Sequence, residues 1–177
     1  MNKKLIMISI LFSFIFLSCK FNDENITYNE TLATKEIKNR AFEFAKLYKE
    51  SDTEYKLGGQ DPVRAAIKID CSGLVIMCYK YALVDTKYKL ILPDMTASYI
   101  YENAVKITKK PERGDLIFMG ESNSDKISHI AIYDSEIDEN IYFIDSTEND
   151  SVSGVSRRNY EKNNPKFKAF GVMKLKF

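Results

Sequence analysis

Cys71 stands between Asp70 and Ser72, and after Gly73 comes an apolar run of helical length, Leu74 to Leu83. This layout places a thiol at the start of a helix, with Asp70 in capping position. Unpaired N–H groups and the helix dipole favour an anion at that end. The thiolate is the attacking form of a cysteine, so placement and reactivity are one fact. His129, the only histidine of the chain, opens a strand-like run that ends at Tyr133. A thiol and an imidazole are the parts of a nucleophilic hydrolase: one attacks, the other takes the proton and returns it to the leaving group. Both residue types also occur as plain core residues on apolar elements. The elements that carry them therefore decide the matter.

Ile37, Ala41, Phe44 and Leu47 or Tyr48 fall at three-to-four spacing, which predicts a helix over 34–51. Thr34 caps it, Glu36 lies in its first turn, and Lys46 and Lys49 lie near its end. Gly58-Gly59 marks a sharp turn or a close backbone approach. The second helix is expected over 71–83, with Leu74, Val75, Cys78, Tyr81 and Ala82 as its buried stripe. A third is expected over 96–105, after Pro93. The period then changes to two. Asp115–Met119, His129–Tyr133 and Tyr142–Asp145 read as strands, with Val155–Arg158 and Ala169–Lys176 as two more. Helices followed by an antiparallel sheet make an α+β domain.

The chain has 177 residues, and 45% of them are hydrophobic, enough for one globular core. Its formal charge is +1, and without Lys3 and Lys4 of the leader the rest carries close to −1. That gives no electrostatic reason to expect nucleic acid as a partner. A single histidine and no cysteine or carboxylate cluster at ligand spacing argue against a metal site, and no cofactor is expected. Gly58-Gly59 lacks the Gly-Lys-Ser/Thr end of a phosphate loop. On one helix Cys71 and Cys78 stand roughly 10 Å apart, beyond the ~7 Å limit of a disulfide. Cys78 reads as a small buried apolar residue.

Residues 1–18 have a basic start, an apolar middle from Leu5 to Leu17 and Ser18 before Cys19, the build of an export signal. The apolar part is shorter than the ~18–20 residues that span a bilayer. Leu17-Ser18-Cys19 resembles a bacterial lipobox, although Phe16 departs from its usual small aliphatic residue. The resemblance implies cleavage before Cys19 and its lipidation. An ordinary signal peptide or an uncleaved anchor are the alternatives. Residues 19–33 then form the lipidated cysteine and a polar tether, and 34–177 the catalytic domain. The chain is expected to be exported, membrane-anchored, monomeric, and to face the periplasm or the cell surface.

Five blocks in order, Tyr55…Gly58-Gly59, Asp70–Val75, Arg113–Phe118, Ser128–Tyr133 and Phe143–Asp145, resemble NlpC/P60 cell-wall cysteine peptidases. The resemblance covers most of the domain. It implies a papain-like fold and hydrolysis of peptidoglycan stem peptides, commonly between D-γ-glutamate and the next diamino acid, through an acyl-enzyme. It implies Cys71 as nucleophile and His129 as general base and then acid. A third polar residue orients the imidazole, often histidine in the family and sometimes asparagine or glutamine; Asp145 takes that position here. A carboxylate there is expected to accept the Nδ1–H bond and favour imidazolium. A strand-end aspartate facing solvent is the alternative. Tyr55 and Asp70 match substrate-contacting positions, and Ser72 adds a hydroxyl nearby; for Asp70 a helix cap is the equal alternative. Two other functions fit the same pattern: a peptidoglycan-binding lipoprotein without turnover, and a related cysteine amidase or acyltransferase.

Overall fold

The structure is a computed structural model and describes residues 28–60, 66–149 and 151–177. The leader, Cys19 and most of the tether lie outside the described residues.

Three helices pack on an antiparallel sheet, so the domain is α+β. Helix α1 (Lys35–Glu50) starts where Thr34 accepts a hydrogen bond from the Ile37 N–H at 3.3 Å. It buries Ile37, Ala41, Phe42, Ala45 and Tyr48 along one face. Helix α2 (Cys71–Ala82) packs against α1 and against β7 and β8 of the sheet and is buried on most sides, including Ile76 and Tyr79 outside the expected stripe. A helix covered on both sides has no polar face, which is why α2 reads as a continuous apolar run.

Among the described residues the strands are β1 (Glu30–Leu32), β2 (Thr53–Tyr55), β3 (Ile67–Ile69), β4 (Lys89–Leu90), β5 (Val105–Thr108), β6 (Leu116–Met119), β7 (His129–Ile137), β8 (Asn140–Asn149), β9 (Val152–Glu161) and β10 (Phe167–Lys176). The main sheet runs β1-β10-β6-β7-β8-β9, with β4 and β5 also paired to β10. A separate parallel pair, β2 with β3, sets Tyr55 beside Ile69. The β7–β8 hairpin turns on Asp138 and Glu139, whose φ angles of 47° and 62° suit a two-residue turn.

Side chains alternate across the sheet. Leu116, Phe118, Ile130, Ile132 and Ile144 join the core under the helices. Ile117, Met119, Ala131, Tyr133, Ile141 and Phe143 form a second apolar cluster on the opposite face. Arg113-Gly114-Asp115 is the junction of α1, α2 and β6. Gly114 has φ +88°, and a Cβ on it would fall 2.2 Å from the Lys38 carbonyl oxygen. Tyr79 Oη donates to the Gly114 carbonyl at 2.8 Å, and Lys38 Nζ meets Asp115 at 3.2 Å.

Strands β2, β3, β4 and β5 are not in the sequence reading, and two segments are read there as something else. The third helix, α3 (Ala97–Asn103), stops before Val105, because the chain leaves helical geometry at Ala104 and β-branched Val105 pairs with Met173 in the sheet. Residues 30–32, within the stretch read as tether, are strand β1, paired with Lys174–Lys176.

Candidate active site

The parallel pair β2–β3 delivers the chain to α2. Asp70 follows β3 in extended conformation and caps the helix: its Oδ1 accepts from the Gly73 N–H at 2.7 Å. The same oxygen accepts from Ser72 Oγ at 3.0 Å, and Oδ2 accepts from the Gly58 N–H at 2.6 Å. The loop and the helix start are in direct contact, since a Cβ on Gly73 would lie 2.2 Å from the Gly59 oxygen. Asp70 is therefore a cap and a clamp at once, and the Ser72 hydroxyl is spent on it. Tyr55 holds its place through its N–H, which donates to Ser153 Oγ at 3.3 Å. Burial raises the Tyr55 phenol pKa, and the charges of Cys71, Asp70 and Glu148 add to the rise.

Cys71 is buried and carries a free thiol. His129 stands at the start of β7, close enough to Cys71 for the two to interact. Its Nε2 lies 2.6 Å from Asp145 Oδ2 on the neighbouring strand β8. This corrects the expected ring orientation. The carboxylate, on the strand paired beside β7, meets Nε2 rather than Nδ1. Asp145 is fully buried, which removes the solvent-facing alternative.

Burial by itself lowers the His129 pKa. The hydrogen bonds to Asp145 and Cys71, with their charges, outweigh it and lift the imidazole to about 9. Burial likewise raises the Asp145 pKa, and its bonds to His129 and Arg158 outweigh that and hold it below the usual carboxylate range.

Arg158 on β9 is the site residue the sequence reading missed. Its Nε donates to Asp145 Oδ1 at 3.0 Å, and Nη2 makes a second contact with Oδ2. Nη1 donates to Tyr160 Oη at 3.0 Å. The signal was parity: Arg158 shares one strand face with Ser156 and Tyr160, all half-buried, while Arg157, Asn159 and Glu161 are exposed. A polar cavity of about 330 Å³ opens beside His129 and Arg158, rimmed by Glu121, Glu148, Tyr160 and Lys166. Among the described residues, no three His, Cys, Asp or Glu side chains come together as a metal site.

The arrangement is a thiol at a helix N-terminus, an imidazole within its hydrogen-bonding reach, and a buried carboxylate behind the imidazole. The NlpC/P60 family model matches residues 52–172, which include Cys71, His129 and Asp145. The chain belongs to the NlpC/P60 family. Membership points to a cell-wall peptidase or a related hydrolase. Two solved structures share the fold. One is the crystal structure of a protein similar to lipoprotein, NLP/P60 family, from Staphylococcus aureus subsp. aureus Mu50, with TM-score 0.52, 22% identity, 81% of this chain and 43% of that chain covered. The other is Ly7917, with TM-score 0.50, 11% identity, 77% of this chain and 62% of that chain covered. The chain thus spans less than two thirds of either structure. No curated protein sequence matches the chain. Among the described residues, no helix is long and apolar enough to cross a membrane.

Proposed function

We propose that this NlpC/P60 protein is a cysteine peptidase that cleaves peptidoglycan stem peptides at the D-γ-glutamyl–diamino acid bond. The observation that carries the reading is the Cys71–His129–Asp145 constellation at the start of α2: Asp145 bonds the imidazole at 2.6 Å, and both neighbours raise its pKa. His129 takes the thiol proton, and the sulfur attacks the amide carbonyl. The tetrahedral oxyanion forms beside the backbone N–H of Cys71 at the open helix end, where a donor favours it. Imidazolium then gives its proton to the leaving amine, the C–N bond breaks, and a thioester remains. Neutral His129 removes a proton from water, which attacks the thioester, and the thiolate leaves. Asp145 holds the ring and favours the imidazolium formed twice in the cycle. Tyr55, at the end of β2, contacts the polar end of the substrate, while Asp70 and Ser72, bonded to each other and to the Gly58 loop, hold the helix start in place beside it. Lipidation at Cys19 holds the enzyme at a membrane, within reach of the wall.

The test uses the full chain in wild-type and Cys71→Ala forms, incubated with defined stem peptides and read by mass spectrometry. Wild type cuts next to γ-glutamate and the variant does not. Binding of the peptides by both without any cut would replace this reading with a binding protein. Cleavage of a different amide or ester would replace it with an amidase or acyltransferase. For the anchor, Cys19→Ala releases the protein from the membrane fraction; unchanged membrane location would reject lipidation as the tether.

A further inference from the structure

We infer that Arg158 is a positioning residue for the Cys71–His129 pair and acts through Asp145. The inference rests on the proposed role of that pair.

Asp145 Oδ2 receives both His129 Nε2 and Arg158 Nη2, while Oδ1 receives Arg158 Nε. The guanidinium therefore grips the carboxylate at two points and fixes its plane, a geometry a single-point cation lacks. The guanidinium is itself held. Tyr160 Oη accepts from Nη1, and the rings of Phe143 and Tyr160 lie 5.4 and 5.5 Å from its centre. Phe143 stands directly opposite Arg158 in the β8–β9 register. A line of contacts thus runs from the interior of β9 through Asp145 to the imidazole and the thiol.

The carboxylate needs this partner. It is fully buried, and a buried carboxylate with one neutral or partly charged neighbour tends to take up a proton or turn away. Either change releases Nε2, lets the ring rotate, and withdraws support from imidazolium. A neutral amide in the same place would need no cation, so Asp145 and Arg158 form a unit.

The neighbouring residue supplies the comparison. Arg157 Nε donates to Asp134 at 2.7 Å, with Arg113 on the other oxygen at 3.2 Å. That ion pair is of the same kind but touches no imidazole. The charged or titratable groups that face the pair are Cys71 from α2, Asp145 from β8 and Arg158 with Tyr160 from β9. On the rim of the cavity stand Glu121, Glu148 and Lys166, with Tyr55 and Asp70 on the helix side. Only Arg158 grips Asp145 at two points.

The test reads thiol reactivity, which needs no substrate. The full chain is alkylated with iodoacetamide from pH 4 to 10, and the Cys71 peptide is quantified by mass spectrometry. Wild type, His129→Ala, Arg158→Met, Arg158→Lys, Arg157→Met, Asp145→Asn and the double variant Asp145→Asn/Arg158→Met are compared. Removing the cation makes the site less favourable to thiolate. Arg158→Met therefore moves the acid limb up by about one pH unit, a roughly ten-fold slower reaction on that limb. Arg158→Lys recovers part of the shift, and Arg157→Met recovers the wild-type curve. The double variant follows Asp145→Asn, because Arg158 has nothing left to act through. An acid limb unmoved in Arg158→Met would reduce Arg158 to a sheet ion pair and overturn the inference. So would a further shift in the double variant equal to that of Arg158→Met alone. If Arg158→Met does not fold, the lysine and double variants decide on the same criteria. A wild-type curve that His129→Ala leaves unmoved would remove the Cys71–His129 pair itself and with it the proposed function.

Discussion

The Gly58 N–H donates to Asp70 Oδ2 at 2.6 Å, while the other carboxylate oxygen caps α2 through Gly73 at 2.7 Å. One side chain thus sets the start of the helix that carries Cys71 and the loop that follows Tyr55. Asp70→Ala removes a cap and a charged hydrogen bond to the loop, a loss of about 2–4 kcal/mol. Thermal unfolding should show a fall of about 5–10 °C for a chain of this size. Asp70→Ser keeps the cap but not the reach to Gly58. It should recover less than half of the stability, and an equal recovery would deny the loop clamp.

His129 gives a pH signature. Its folded-state pKa lies above its unfolded value of 6.5, at about 9. A raised pKa means that protonation favours the folded state, so the contribution is full below pH 6.5 and is lost as pH rises through about 9. Cys71→Ala removes the thiol's share of the rise and leaves that of Asp145, so the window opens at the same pH and closes earlier. In that background stability should decline by about 1–3 kcal/mol across the window, measured as urea midpoints at each pH. Adding His129→Gln should flatten the curve. A decline of the same size in the double variant would assign it to another group.

Helices α1 and α2 and the side chains that meet around His129 were legible because each is carried by a local pattern. Thr34 and Asp70 are caps next to apolar runs, and His129 and Asp145 open or close runs of period two. What was not legible depends on pairing between distant segments. Residues 30–32 carry no strand signal of their own; they become β1 because the backbone of 174–176 offers an edge. Val105 continued a helical pattern locally and was taken by β10 instead. Arg158 stands in a run of polar residues, and only the β8–β9 register brings it to Asp145. The choice of ring nitrogen is likewise tertiary, since it depends on the side from which each partner approaches the imidazole.

The Arg113-Gly114-Asp115 block makes a stability prediction separate from catalysis. Lys38 meets the buried Asp115 at 3.2 Å and Glu112 at 2.7 Å. Burial raises the Asp115 pKa against the pull of the Glu112 backbone and Lys38. Lys38→Met leaves that carboxylate without its cation, at a loss of about 3 kcal/mol. Adding Asp115→Asn should restore most of the loss, because no buried charge then remains. Denaturant unfolding of the two variants checks this. An additive double variant would mean that the lysine acts through packing alone.

Ser146 links the two halves of the site. Its Oγ donates to the Ile69 carbonyl at 2.6 Å, and both residues are fully buried. Ser146 follows Asp145 on β8, and Ile69 precedes Asp70 at the entry to α2. The bond therefore ties the strand of the carboxylate to the segment that delivers the thiol. Ser146→Ala leaves a buried carbonyl unpaired, at a loss of about 1–2 kcal/mol. Tyr79→Phe removes a bond of the same kind, to the Gly114 carbonyl at 2.8 Å, well outside the catalytic line. The two variants should lose similar stability. Only Ser146→Ala should lower kcat/KM on a stem peptide at 20 °C, by about ten-fold, because a small displacement of reacting groups is costly in rate. Equal kcat/KM in the two variants would show that the Cys71–His129–Asp145 geometry is held without this bond.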